Sequence, residues 1–161
     1  MEKSEQINKL AYDIMRLSGN TLIVHLRFLD SAMSLLQLVR VDDTGFVATD
    51  GRHIQYDPLT VLKMYKSSNE LVTRTYLHML MHCIFRHNII STLVDCDVWG
   101  LACDMAVENI INELDIPSVK TERACKQISV IDNIKGRTKY LNAEKIYNYL
   151  ITDVSSEQIY E

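Results

Sequence analysis

Between Ser68 and Ile90 the chain places Leu71, Val72, Leu77, Leu80, Met81, Ile84 and Phe85 on almost every side of one helical wheel, with His78 and His82 four residues apart inside it. A helix that is apolar all round has no face to turn to water, so other elements have to enclose it. Ser67, with Glu70 three residues later, has the form of a capping box that opens such a helix. Imidazoles at i and i+4 project from one face about one turn apart, as two ligands of a single metal ion must. The spacing alone leaves two readings open, metal ligands or core histidines satisfied by hydrogen bonds.

The flanking pattern supplies what would enclose that helix. Ile7, Leu10, Ala11, Ile14, Met15 and Leu17 follow helical spacing up to Gly19, a suitable stop, and Leu22, Ile23, Leu26 and Leu29 predict a second helix after Asn20. Alternation around Leu36, Leu38, Val39 and Val41 begins strand structure. Phe46 to Thr49 and Arg52 to Tyr56 flank Asp50-Gly51, whose turn chemistry predicts a hairpin and hence a small antiparallel meander. Pro58 suits the first turn of a short helix through Met64. A further helix is expected from Val98 to Leu114, ended by Pro117 and packed on the Ser68 to Ile90 helix. The segment from Lys120 to Lys139 is polar and gives no assignment, whereas Asn142 can cap a last helix carrying Ile146, Tyr149 and Leu150. The fold class expected is α+β, with a small antiparallel sheet and a central buried HxxxH helix packed on further helices.

With 161 residues the chain has the size of one domain and can bury roughly 70% of its unfolded surface. It contains no run of 18 apolar residues of the kind a membrane span needs. Met1 to Gln6 is charged and polar and leads into no signal-peptide core, which predicts a cytoplasmic protein with no membrane partner. A net charge of -4 with scattered Lys and Arg argues against nucleic acid as a partner. The four cysteines form no CxxC pair, and Cys83 and Cys103 lie inside apolar patterns, where a free thiol behaves as a small hydrophobe.

Four short stretches then occur in a telling order: Ala48-Thr49-Asp50-Gly51, Tyr56-Asp57-Pro58, His78 to His87, and Trp99-Gly-Leu-Ala-Cys-Asp104. Asn142-Ala-Glu-Lys-Ile-Tyr147 adds a fifth. Together they resemble the metallopeptidase-like domain found in bacterial proteins that often carry a von Willebrand factor A-like domain behind it, most strongly over residues 28–114. The resemblance implies a zincin-like fold, one metallopeptidase-like domain over residues 1–161, and a helical C-terminal extension over 118–161. It also implies a peptide or protein partner, with an ATPase of the MoxR type and a von Willebrand factor A-like module as candidates.

In that family the central helix reads HExxHxxxxH, and Met79 stands here where the family has its glutamate. The two histidines of such a helix hold Zn²⁺, and the glutamate moves protons to and from the bound water. Methionine cannot do that. A catalytic zinc takes three protein ligands and an open position. The resemblance points to His78, His82 and Asp104, the last being the aspartate of the Trp-x-x-Ala-x-Asp motif, with a helix salt bridge to Arg86 as its ordinary alternative. His87 is the rival third ligand, although on an uninterrupted helix it points about 140° away from His82, and no glycine nearby suggests a bend. Glu108, one turn after Asp104, is either a substitute ligand or base or a solvated helix glutamate. Trp99 and Tyr56 are expected to pack in the core, and the strand Arg52 to Tyr56 could pair with an extended peptide if it lies at a sheet edge. The leading expectation is a metal-binding pseudoenzyme with weakened or absent peptide hydrolysis. The alternatives are a metal-free structural or interaction domain, and an active zinc peptidase using a different base.

Overall fold

The computed structural model describes residues 2–90, 93–121, 135–136 and 141–153, and these fall into two compact units. The first comprises Met1–Asn88 with Ile116–Thr121, and the second Ile89–Asp115 with Glu122–Glu161. The architecture is α+β.

The first unit opens with helix α1, Glu2–His25. It runs straight through Gly19, where a stop was expected, and Leu22 is fully buried in its second half. The reason is close packing: a Cβ on Gly19 would lie 3.3 Å from the Tyr76 ring and 3.4 Å from the end of Met33, so this glycine admits neighbours and does not end a helix. A 3-10 turn at Arg27–Leu29 and helix α2, Asp30–Leu35, lead to strands β1, Gln37–Arg40, β2, Val47–Thr49, and β3, His53–Tyr56.

The sheet has the order β1-β3-β2. β2 and β3 form the expected hairpin, pairing Ala48 with Gln55 in antiparallel register. β1 instead runs parallel to β3, with Leu38 opposite Ile54, so the sheet is mixed and not the antiparallel meander anticipated. Residues 41–46 let the chain cross to the far side of β3, which is therefore the central strand. The Arg52 to Tyr56 strand has no free edge.

Helix α3, Pro58–Ser67, takes Asp57 as its N-cap, whose carboxylate accepts the Thr60 N–H. Helix α4, Asn69–Ile84, is the predicted central helix. Its cap is Ser68, one residue later than expected: the Ser68 hydroxyl accepts the Leu71 N–H at 3.3 Å and donates to Glu70 at 2.6 Å. Val72, Thr73, Arg74, Tyr76, Leu77, Leu80 and Met81 are buried along it, against α1, α3 and a 3-10 turn at Pro117–Val119. The buried Arg74 guanidinium donates to the Val119 carbonyl at 2.9 Å, which ties that last turn to α4. Removing the side chains of Val72, Tyr76, Leu77, Leu80 and Met81 from water is the main apolar contribution this element makes.

The second unit is built on helix α5, Cys96–Glu113, and helix α6, Ala143–Asp153. Asp95 caps α5 through the N–H groups of Asp97 and Val98, and Asn142 caps α6 by accepting the Lys145 N–H at 3.0 Å. Ala102, Cys103 and Ala106 pack on Ala143, Ile146 and Leu150. Trp99 packs edge-on against Tyr147 at 5.8 Å, and the Tyr147 hydroxyl accepts the Asp95 N–H at 3.0 Å, so Trp99 serves packing as expected. The segment from Lys120 to Lys139 lies largely outside the described residues, as does Cys125. No helix among the described residues is long and apolar enough to cross a membrane.

Candidate metal centre

α4 presents His78, Met79 and His82, all half-buried, in its last two turns. The Nε2 atoms of His78 and His82 face each other at 2.9 Å, with ring centroids 4.7 Å apart. Two nitrogens bound tetrahedrally to one Zn²⁺ at the usual bond length lie roughly 3.3 Å apart. The pair is therefore within a few tenths of an ångström of that spacing, and the donors fit the group. Without an ion, one of the two Nε2 atoms has to carry the proton that joins them.

α4 ends six residues earlier than the predicted helix, and this changes the place of His87. Arg86 adopts a left-handed φ of +57°. Its N–H bonds to the Cys83 carbonyl at 3.2 Å, and the His87 N–H returns to the His82 carbonyl at 3.1 Å. These are the two bonds of a Schellman cap, formed here around arginine where glycine is usual. The reversal carries His87 back over the helix end, so its Nδ1 lies 3.4 Å from His82 Nδ1 with the rings at 80°. The expectation that His87 points away from His82 is overturned. His87 meets the opposite edge of the His82 ring from the one shared with His78, and it also stacks on Phe85 at 5.6 Å.

On α5 of the second unit, Asp104 is exposed and Glu108, one turn on, is half-buried. Their neighbour Cys103 is buried, and burial, with Asp104 and Glu144 adding negative charge, pushes its thiol up to about 12. Burial likewise raises Cys83, whose Sγ lies 3.1 Å from the Thr49 hydroxyl. Both thiols stay protonated near neutrality. Of the three ligands anticipated, His78 and His82 are brought together within the first unit, and Asp104 stands on the second.

The model of a family described as "putative metallopeptidase domain" matches residues 19–158. The chain belongs to that family. No curated protein matches it, and no solved structure does.

Two of the family-like stretches have clear local duties in this fold. In Ala48-Thr49-Asp50-Gly51 the Asp50 carboxylate accepts the N–H groups of Arg52 at 2.8 Å and His53 at 2.7 Å, while Thr49 Oγ1 accepts the Gly51 N–H at 3.1 Å. Gly51 has a φ of +92°, which favours glycine there, and a Cβ would also displace the end of the Asn88 side chain, 2.7 Å away. In Tyr56-Asp57-Pro58, Tyr56 is buried, Asp57 caps α3 and Pro58 occupies its first turn. A pairing not singled out in the sequence is that of Asp50 Oδ2 with His53 Nδ1 at 2.7 Å. That hydrogen bond, followed by those from the two backbone N–H groups, holds the Asp50 carboxyl far below the usual range. Its only signal was an Asp and a His three residues apart across a glycine turn.

Proposed function

We propose that this protein is a zincin-like, metal-binding relative of metallopeptidases in which peptide hydrolysis is weak or absent. The observation that carries the reading is the pair of Nε2 atoms, 2.9 Å apart on one face of α4, in a chain of a metallopeptidase family. His78 and His82 would hold a divalent ion, Zn²⁺ by the chemistry of the donors, with Asp104 as third ligand. When bound, such an ion supplies Lewis acidity and a water of lowered pKa.

The rest is done by the chain's own side chains. With both Nε2 atoms given to a metal, the proton of His82 sits on Nδ1, facing His87 Nδ1; His87 then orients the His82 ring, as the outer partner of a ligand histidine does. His87 in this reading is a positioning residue and Asp104 the ligand. Met79 occupies the general-base position and has no group that accepts a proton, and positioned acid–base catalysis is worth about 10² to 10⁴ in rate. Glu108, which shares Asp104's helix face, is the substitute carboxylate to test. An ATPase of the MoxR type, a von Willebrand factor A-like module and a cytoplasmic site of action are further proposals, supported by the resemblance alone.

Metal content tests the first half. Purified protein is expected to bind Zn²⁺ in a 1:1 ratio, with His78→Ala, His82→Ala and Asp104→Ala each weakening it at least tenfold. Failure to bind Zn²⁺ on titration would leave the metal-free structural or interaction domain as the reading. For the second half, zinc-loaded protein should hydrolyse peptides barely or not at all, and Met79→Glu should raise the rate. Robust metal-dependent cleavage by the unmodified chain would refute the pseudoenzyme, and Glu108→Gln would then show whether Glu108 is the base.

A further inference from the structure

Tyr76 on α4 is 6% exposed, yet no hydrogen bond joins its hydroxyl to any described residue. A phenol buried that far normally has a partner. The hydroxyl end lies beside Gly19 of α1, where a Cβ would stand 3.3 Å from Tyr76 Cζ and 3.4 Å from its Oη. Both residues line a cavity of about 420 Å³ within the first unit, a size in the range of small-molecule sites. The glycine leaves open the space from which the hydroxyl can be reached.

The walls of this cavity carry opposite charges that do not neutralise each other. Arg16 of α1 and Asp30 of α2 both line it, and no ion pair joins either to a described residue. Arg16 instead lies over the Tyr12 ring, its guanidinium carbon 5.9 Å from the centroid, a cation–π contact that uses none of its N–H donors. Asn20, one turn beyond Arg16, adds an amide to the lining. A cation and an anion kept apart, with a neutral hydroxyl and an amide in the same wall, complement a ligand that itself bears both charges and a polar group.

We infer that this cavity binds a small zwitterion of the amino-acid type, with Arg16 taking its carboxylate, Asp30 its ammonium group, and the Tyr76 hydroxyl with Asn20 a polar side chain. The planar fork of arginine suits a carboxylate bidentately. The buried phenol gains the hydrogen bond it otherwise lacks, which selects a polar side chain over an apolar one of the same shape. A ligand carrying one charge only is disfavoured, because it would leave the wall residue of its own sign opposing it. Free amino acids and dipeptides share this chemistry. Tyr76 and His78, two residues apart on α4, project about 200° away from each other, and the site calls on no metal.

The probes are serine, asparagine and glutamine, each as the free amino acid and as the glycyl dipeptide, titrated calorimetrically into chelator-treated protein; the two arms separate the two sources. At least one is expected to bind saturably with a Kd below about 1 mM, and its N-acetylated and C-amidated forms about tenfold more weakly or worse. Arg16→Gln should erase the penalty for amidation, and Asp30→Asn that for acetylation. Tyr76→Phe should weaken binding about fivefold or more while the Tm of the free protein stays at or above that of the parent, because a buried hydroxyl without a partner costs its desolvation and returns nothing. A hydroxyl with a merely structural role would instead lower the Tm and leave binding unchanged. Absence of any binder, blocked forms that bind as tightly as the zwitterion, or Tyr76→Phe binding like the parent would overturn the inference.

Discussion

Arg86 holds a φ of +57° one residue beyond the α4 cap, where most helices ending this way place glycine. A left-handed conformation costs an L residue about 1–2 kcal/mol. Glycine avoids that cost but gives back roughly 0.5–1 kcal/mol through the extra freedom of its unfolded chain. The difference predicts that Arg86→Gly stabilises the protein by about 0.5–1 kcal/mol, a rise of roughly 1–4 °C in Tm for a chain of this length. Because the Arg86 side chain is exposed, Arg86→Ala should stay within about 0.5 kcal/mol of the parent. Arg86→Val, β-branched at positive φ, should lose about 1 kcal/mol or more. Urea unfolding of the three variants gives the series directly, and the exchange rate of the His87 amide reports whether its bond to His82 persists. If Arg86→Gly is less stable than the parent, or Arg86→Val matches Arg86→Ala, the left-handed residue is not what turns the chain and the account of His87 fails with it.

Asp57→Ala should cost about 1–2 kcal/mol at pH 7, because the buried carboxylate caps α3. Hydrogen bonds from Thr60 lower the Asp57 carboxyl below its ordinary value, so its contribution is complete above about pH 4 and is lost as pH falls through the lowered value; parent and variant stabilities should converge in acid, and a gap that widens there contradicts the assignment. Gly19→Leu should destabilise by about 2–3 kcal/mol through overpacking against Tyr76 and Met33. Gly19→Ala should remain within about 1 kcal/mol, its gain in helix propensity offsetting the tight contact; thermal melts of both variants decide this, and a tolerated leucine would show that the helices do not need their close approach.

The parts of the fold that were legible in the sequence are those fixed by local chemistry. Pro58 after Asp57 marks a helix start because proline lacks only an N–H that is unused there, and the glycine turn at Asp50-Gly51 marks a hairpin. Both are found where expected. The misreadings share a cause, since each concerns what a residue meets and not what it prefers. Gly19 has the local preferences of a stop, but Tyr76 and Met33 press against it from other elements, and the helix continues. β1 has the alternation of a strand, which says nothing of its partner's direction; the parallel pairing with β3 depends on the path of residues 41–46.

The site divides in the same way. His78 and His82 were placed by helical arithmetic, since i and i+4 on any regular helix bring two rings together, and their Nε2 atoms do face each other. His87 was misplaced by that arithmetic, which holds only while the helix lasts. Arginine at a left-handed position leaves no composition signal where glycine would have left one, so the sequence carried the return of His87 without marking it. The bonds that close the cap, His87 N–H to His82 O and Arg86 N–H to Cys83 O, use carbonyls in the same turn as His82. The helix end is thus part of the surroundings of His82: the cap that turns the chain at Arg86 is what brings His87 Nδ1 to 3.4 Å from His82 Nδ1.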